Sequence, residues 1–195
     1  MEVLRLTDLT KSDACVVALG FFDGVHIGHR ALLEKTVAEA KVRGATPCIF
    51  TFADSPAFKG GERLFSEEAR LSAFAECGIE RVVLADFPLL SSLSPEEFVS
   101  EILLEKLHTV AAVCGFNYRF GARAAGDAAL LCSLLATHGA PLFLIAEMTH
   151  GGKTVSTTAI KAALAEGDAD TAAAMLGRAY AHTGVVTHGK ALGQR

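Results

Sequence analysis

Gly20-Phe21-Phe22-Asp23-Gly24-Val25-His26-Ile27-Gly28-His29 decides how this chain folds. The stretch follows the apolar run Cys15-Val16-Val17-Ala18-Leu19 and opens a long helical pattern, so a strand hands over to a helix there. A helix start offers free backbone N–H groups and the positive end of the helix dipole, which together favour phosphate. Histidines at that spot can add donors, and the glycines let a polyphosphate approach the backbone closely. Taken alone, two histidines three apart are a turn residue and a helix-surface residue. Set among Gly24 and Gly28, after a strand and before an amphipathic helix, His26 and His29 read as a phosphate site. Fixed donors there would stabilise charge that develops on phosphate oxygens without solvent reorganisation.

Outward from this stretch, apolar runs alternate with amphipathic ones. Residues 14–20 read as a strand and 28–43 as a helix that ends near Gly44. Residues 46–52 read as a second strand, followed by a Pro- and Gly-containing loop from Ala53 to Gly61. Ser66 is a good cap for a helix over 66–77, with Gly78 as its stop. Residues 81–85 are a third strand. Ser94-Pro95-Glu96-Glu97 starts a helix that runs to about Leu107: a cap, Pro in the first turn, then acids. Residues 110–114 form a fourth strand, 127–138 a helix and 141–146 a fifth strand. Short helices follow over 156–166 and 169–177, separated by Gly167-Asp168. The alternation predicts a Rossmann-like α/β fold, a parallel five-stranded sheet flanked by helices. Ligands of such sheets bind at the carboxyl ends of the strands. The glycine–histidine loop, Thr51-Phe52 and Gly115 to Gly121 all fall at such ends.

Composition narrows the function class. The chain has 195 residues, 51% hydrophobic, enough for a substantial core. Its net charge of −4 gives no global basic field for nucleic acid. No apolar run approaches the ~20 residues needed to span a bilayer. The N-terminus lacks the layout of a secretory signal. The 5 cysteines have no CxxC spacing and read as small core residues in a reducing cytoplasm, not as disulfides or metal ligands. No carboxylate cluster marks a protein metal site. Nothing in the composition sets an oligomeric state.

Two further stretches carry chemistry. Val155-Ser156-Thr157-Thr158-Ala159-Ile160-Lys161 is a capped helix start with extra hydroxyls and a lysine one turn in, which makes it an anion site as well as a helix signal. Gly115-Phe116-Asn117-Tyr118-Arg119-Phe120-Gly121 follows the fourth strand, with Gly126-Asp127 beyond. Its aromatics either plug the core edge or face a flat ring, whose donors and acceptors Asn117 can read. Arg119 contacts a ligand, stays solvated or joins an ion pair.

The first motif resembles the HxGH signature of the nucleotidyltransferase superfamily. Together the motifs resemble the adenylyltransferase module of prokaryotic bifunctional riboflavin kinase/FAD synthetases. The matching stretches are Gly20 to His29, Thr51-Phe52 with Pro56, Gly115 to Gly126, and Ser156 to Lys161, in order over nearly the whole chain. The resemblance implies a nucleotidyltransferase fold that makes FAD and pyrophosphate from ATP and FMN, with Mg²⁺ held mainly by the phosphates. By the same resemblance, His26, His29 and Lys161 are catalytic. ATP would meet Gly20, Phe22, Asp23, Gly24, His26, Gly28, His29, Ser156, Thr157 and Lys161. FMN would meet Phe52, Asn117, Arg119 and Phe120. The partners implied are small molecules, with neither nucleic acid nor membrane.

This chain departs from the family pattern at three places. Ser55 stands before Pro56 where the family often has histidine. Lys161 stands where arginine is usual; lysine keeps the charge but loses the bidentate fork, so a slower or weaker ATP site is expected. The family continues into a β-barrel riboflavin kinase, and Gly184 to Arg195 resembles only its opening. The expected division is an adenylyltransferase domain over 1–182 and a kinase opening segment over 183–195. The rest of that module is expected to be missing from this chain, and the tail from about Thr183 to be poorly ordered. Two alternatives stay open: another HxGH transferase (with nicotinate mononucleotide, pantetheine phosphate or a polyol phosphate as acceptor), or a module that binds nucleotide or flavin without turnover.

Overall fold

The computed structural model describes residues 1–9, 13–53 and 63–181. In chain order the elements are β1 (Glu2–Arg5), β2 (Cys15–Leu19), α1 (Ile27–Arg43), β3 (Thr46–Phe52), α2 (Glu67–Glu76), β4 (Arg81–Ala85) and a single turn, α3 (Phe87–Leu90). Next come α4 (Pro95–Glu97), which continues as a π-helix over Phe98–Lys106, β5 (Thr109–Gly115), the paired β6 (Arg119–Phe120) and β7 (Gly126–Asp127), and α5 (Ala128–Ala136). The chain then forms β8 (Leu142–Ile145), the ribbon β9 (Thr149–His150) and β10 (Lys153–Thr154), α6 (Thr157–Ala165) and α7 (Ala169–Leu176).

The main sheet has six strands in the order β1-β4-β3-β2-β5-β8, every neighbouring pair parallel. This corrects the expected five. The added strand, β1, lies on the edge, where Val3 pairs with Val82 and Arg81 binds the Glu2 carboxylate at 2.7 Å. Two of its four residues are charged and most are exposed, as an edge strand allows, so its apolar signal is weak. Central β2 is fully buried. Cys15, Val17 and Leu19 face one core with the π-helix and α5, while Val16 and Ala18 face another with α1 and α2. This is the period-two alternation of a strand buried on both faces. A third cluster joins Leu64 and Phe65 to α6 and α7.

The chain leaves β2 toward β3 and β4, then returns to the other side of β2 as β5. The carboxyl ends of β2 and β5 therefore flank the topological switch point, where open α/β sheets bind ligands. The loops that leave these ends are Gly20–His26 and the stretch after Gly115.

The helix starts follow their caps. Ser66 Oγ accepts from the Ala69 N–H, and Asp168 caps α7 through the Thr171 N–H. Ser94 and Glu97 form a reciprocal capping box. The helix beyond it departs from the expected α form: Leu107 N–H donates to Ile102 O, a bond one residue longer than the α spacing. Cys15, Cys48 and Cys114 are buried and the half-buried Cys77 packs against the core of α1 and α2, but Cys132 is exposed and is not a core residue. Of the loop from Ala53 to Gly61 only Ala53 falls within the described residues, and the tail from Thr183 falls outside them.

Ser94→Ala removes one half of the capping box. It should lower stability by about 1 kcal/mol, read as a shift of the urea midpoint with unchanged slope, and Ser94→Asp should recover most of it.

Candidate active site

The turn from β2 to α1 is strained. Phe22 has φ 58°, Gly24 82° and Val25 42°. Positive φ is uncommon for a bulky residue and a true outlier for a β-branched one. Gly24 accepts the conformation freely, and a Cβ there would lie 2.9 Å from Leu64 Cδ1. Such strain persists only where the surroundings over-determine the backbone.

Several contacts do so. Asp23 is 2% exposed. Its carboxylate accepts from the backbone N–H groups of Leu64 (3.1 Å) and Phe65 (3.2 Å). Lys161 Nζ lies 3.8 Å from the same carboxylate. Thr157 Oγ1 donates to the Asp23 carbonyl at 3.0 Å. Phe22 and Val25 are buried in the core beneath the turn. One residue thus ties the turn to the segment before α2 and to the start of α6.

The histidines sit where this turn becomes α1. His26 caps the helix: its Nδ1 accepts from the His29 N–H at 3.3 Å. An accepting Nδ1 leaves the proton of the neutral ring on Nε2. The two rings stack with centroids 3.5 Å apart, and Phe22 meets His29 edge-on at 5.2 Å. Burial pushes His26 down to about 4, although Asp23 pulls the other way. His29 is held well below the usual imidazole range by burial first, then by His26 and Arg70. Its Nδ1 is buried without a hydrogen-bond partner among the described residues. Both rings are therefore neutral near pH 7, and each can present an N–H to an anion.

Both histidines line a cleft of about 770 Å³. This volume falls in the range of small-molecule sites. The walls come from the ends of β2, β3, β5 and β8 and from the approach to α6. Phe52, Phe87, Phe116, Tyr118 and Phe120 make much of the lining aromatic, with Asn117 among them. The cleft therefore joins polar donors at a helix start to apolar, flat surfaces. Among the described residues no group of three His, Cys, Asp or Glu side chains could hold a metal ion.

Residues 8–159 match the sequence profile of a family described as FAD_syn, FAD synthetase. This chain belongs to the FAD synthetase family. Its relatives include the bifunctional riboflavin kinase/FMN adenylyltransferase of Escherichia coli (strain K12), 32% identical over 188 residues, 93% of this chain and 60% of the relative. The enzyme of the same description from Listeria monocytogenes serovar 1/2a is 31% identical over 96% of this chain and 60% of its own length. The Bacillus subtilis (strain 168) counterpart is 28% identical over 92% and 58%. The chain thus spans about 60% of the length of these relatives. Among solved structures, one described as a macrolide-efflux protein from Streptococcus pneumoniae superposes with a TM-score of 0.87. It is 24% identical, and the match covers 100% of this chain and 66% of that one. A pantoate-beta-alanine (pantothenate synthetase) structure from Thermus thermophilus gives 0.51 at 12% identity, over 91% and 80%. Both likenesses concern the fold alone.

Of the residues expected at ATP, Gly20, Phe22, His26, Gly28, His29 and Ser156 line the cleft. Asp23, Gly24, Thr157 and Lys161 are not part of that lining. They form the clasp behind it, with the Lys161 ammonium on the Asp23 carboxylate. Ser156 Oγ is engaged as the cap of α6 through the Ala159 N–H. Phe52, Asn117, Arg119 and Phe120 all line the cleft. Phe120 is also a core residue against Phe98 and Tyr118, and Arg119 reaches Asp127 at 3.9 Å. Pro56, the far end of one motif, lies outside the described residues. The sequence reading missed Arg70, which is 1% exposed and bonded to the Phe21 carbonyl. Its signal was position: Arg70, Ala73 and Phe74 share one buried helix stripe.

The low proton affinity of His26 ties stability to pH. The unfolded chain binds a proton near pH 6.5 and the folded one only near 4, so stability falls as pH drops through that window. The loss from this residue is on the order of 3 kcal/mol, with His29 adding in the same direction. His26→Asn keeps a capping acceptor and should flatten the fall, measured as urea midpoints at pH values across the window.

Proposed function

We propose that this chain transfers the AMP group of ATP to FMN, giving FAD and pyrophosphate. The observation that carries this reading is the cleft itself, which puts a neutral histidine pair at a helix start and an aromatic wall in one cavity. The relatives named as FMN adenylyltransferases support the choice of flavin as acceptor.

In this reading the FMN phosphate attacks the α-phosphorus of ATP in line, and the bond to pyrophosphate breaks. No covalent enzyme intermediate is needed, so positioning and charge stabilisation supply the rate. His26 and His29 donate N–H groups to the phosphate oxygens as negative charge moves toward pyrophosphate. Approach of the polyphosphate favours the charged imidazolium and raises the low proton affinity of the pair. Gly20, Phe22, Asp23, Gly24 and Gly28 shape the nucleotide loop. Ser156, Thr157 and Lys161 serve the phosphates from the start of α6, with Thr157 and Lys161 each exchanging part of its attachment to Asp23 for the nucleotide. Phe52 and Phe120 face the flavin ring, with Asn117 and Arg119 at its polar edge. Among the described residues no side-chain group forms a cage for a cation; in this reading Mg²⁺ would arrive on the ATP phosphates and neutralise part of their charge.

Residues 1–182 would form the adenylyltransferase unit, with 183–195 as the opening of a riboflavin kinase module like that named in the relatives. The enzyme would work in the cytoplasm on small molecules, without nucleic acid or membrane.

The test is incubation of the chain with ATP, Mg²⁺ and FMN, with riboflavin in a parallel tube, reading FAD by chromatography. FAD from FMN is expected, and the riboflavin tube shows whether riboflavin is also phosphorylated; no FAD from FMN overturns the reading. His29→Ala should lower the rate by roughly tenfold or more in a folded protein, the cost of losing one transition-state donor.

A further inference from the structure

Arg70 is a buried charge outside the cleft lining, 1% exposed. Burying a guanidinium is costly unless its donors are satisfied. Among the described residues its hydrogen bonds go to neutral oxygens. Nη2 donates to the Phe21 carbonyl at 2.8 Å and to Thr51 Oγ1 at 3.1 Å. Thr51 Oγ1 in turn donates to the same Phe21 carbonyl at 3.2 Å. The guanidinium lies 4.7 Å from the Phe21 ring centroid and 5.8 Å from that of Phe74. Nε and Nη1 are buried and have no hydrogen-bond partner among the described residues.

The carbonyl that Arg70 grips directly precedes Phe22, where the backbone turns into positive φ. The ring of Phe22 then meets His29 on one side and Phe74 of α2 on the other. Arg70 therefore holds the entry of the strained turn whose exit carries the histidines. Asp23 holds its middle.

We propose that Arg70 is a positioning residue for the transfer: it clamps the Phe21 carbonyl, keeps the turn that aims His26 and His29, and sets a fixed positive charge behind the pair. This rests on the phosphate role proposed above for the histidines. The electrostatics agree with the geometry. Burial pushes Arg70 down only to about 10, so it stays charged at neutral pH. Arg119, Arg123 and Glu147 lie in the cleft lining; the charged side chains that act on the pair itself are Asp23, on His26, and Arg70, which acts with His26 on His29. The charges of Arg63, Asp23 and Glu67 act on Arg70 in turn. A positive charge there disfavours protonation of His29 in the free protein and adds to the field that receives a polyphosphate.

The test compares Arg70→Met and Arg70→Lys with the parent in FAD formation, and follows the His29 titration by NMR in the absence of nucleotide. For folded Arg70→Met we expect kcat to fall about tenfold or more, with KM for ATP changed by less than about threefold, the split for an interaction realised in the transition state. The His29 midpoint should rise by about half a unit or more. Arg70→Lys keeps the charge and loses part of the grip, so the midpoint should return to the parent value while kcat stays reduced. A folded Arg70→Met protein with parental kcat and an unmoved His29 midpoint overturns the proposal. If Arg70→Met does not fold, Arg70→Lys decides: a parental kcat overturns the proposal, and a reduced kcat with a parental midpoint supports it. A parent that makes no FAD refutes the proposed activity instead, and the His29 shift still tests the placement of Arg70.

Discussion

The Asp23 carboxylate holds this molecule's site together. A buried carboxylate must find partners, and this one finds two backbone amides and a lysine from separate parts of the chain. Those partners bring the segment before α2 and the helix α6 to the end of the central strand. The hydroxyl of Thr157 closes the same junction from the other side. The strained turn between β2 and α1 then has no freedom to relax, because its carbonyls and rings are engaged on every side. Strain of this kind, held by the fold, is what keeps two imidazoles stacked at the start of a helix.

The stacking has a chemical consequence. Two imidazolium rings 3.5 Å apart would repel, and burial penalises each charge separately. The resting pair is therefore neutral and donates through N–H groups rather than through full charges. The anion that binds there supplies the attraction that reverses this preference. Positive charge that does not rest on the imidazoles comes from the helix dipole and from Arg70 behind the turn. A site arranged this way discriminates by the charge of what enters it.

Much of this was legible in the residues. The glycine–histidine stretch is a strand-to-helix turn, and Ser66, Ser94 and Ser156 cap the helices they precede. Parallel order followed from alternation, because crossovers of helical length demand it. The edge strand β1 escaped because its stability comes from pairing with β4 and not from its own apolar pattern. The π-helical form of Phe98–Lys106 also escaped, since α and π windings share nearly the same local signals. At the site, motif spacing identified residues that are near one another but could not sort the cleft wall from the clasp behind it. Asp23 and Lys161 meet across a long span of sequence, and only tertiary packing reveals that they neutralise each other. Arg70 lay hidden for the same reason: a lone arginine on an amphipathic helix ordinarily reaches solvent.

The central claim is that the histidine pair serves attack at the α-phosphorus of ATP, with FMN as the attacking group. Its most direct test is to follow the label from ATP carrying radioactive phosphorus at the α or the γ position, in separate reactions with FMN. The account predicts that the α label enters the flavin product and the γ label leaves in pyrophosphate. Transfer of the γ label to the flavin, or release of the α label as free AMP with no labelled flavin, would contradict it.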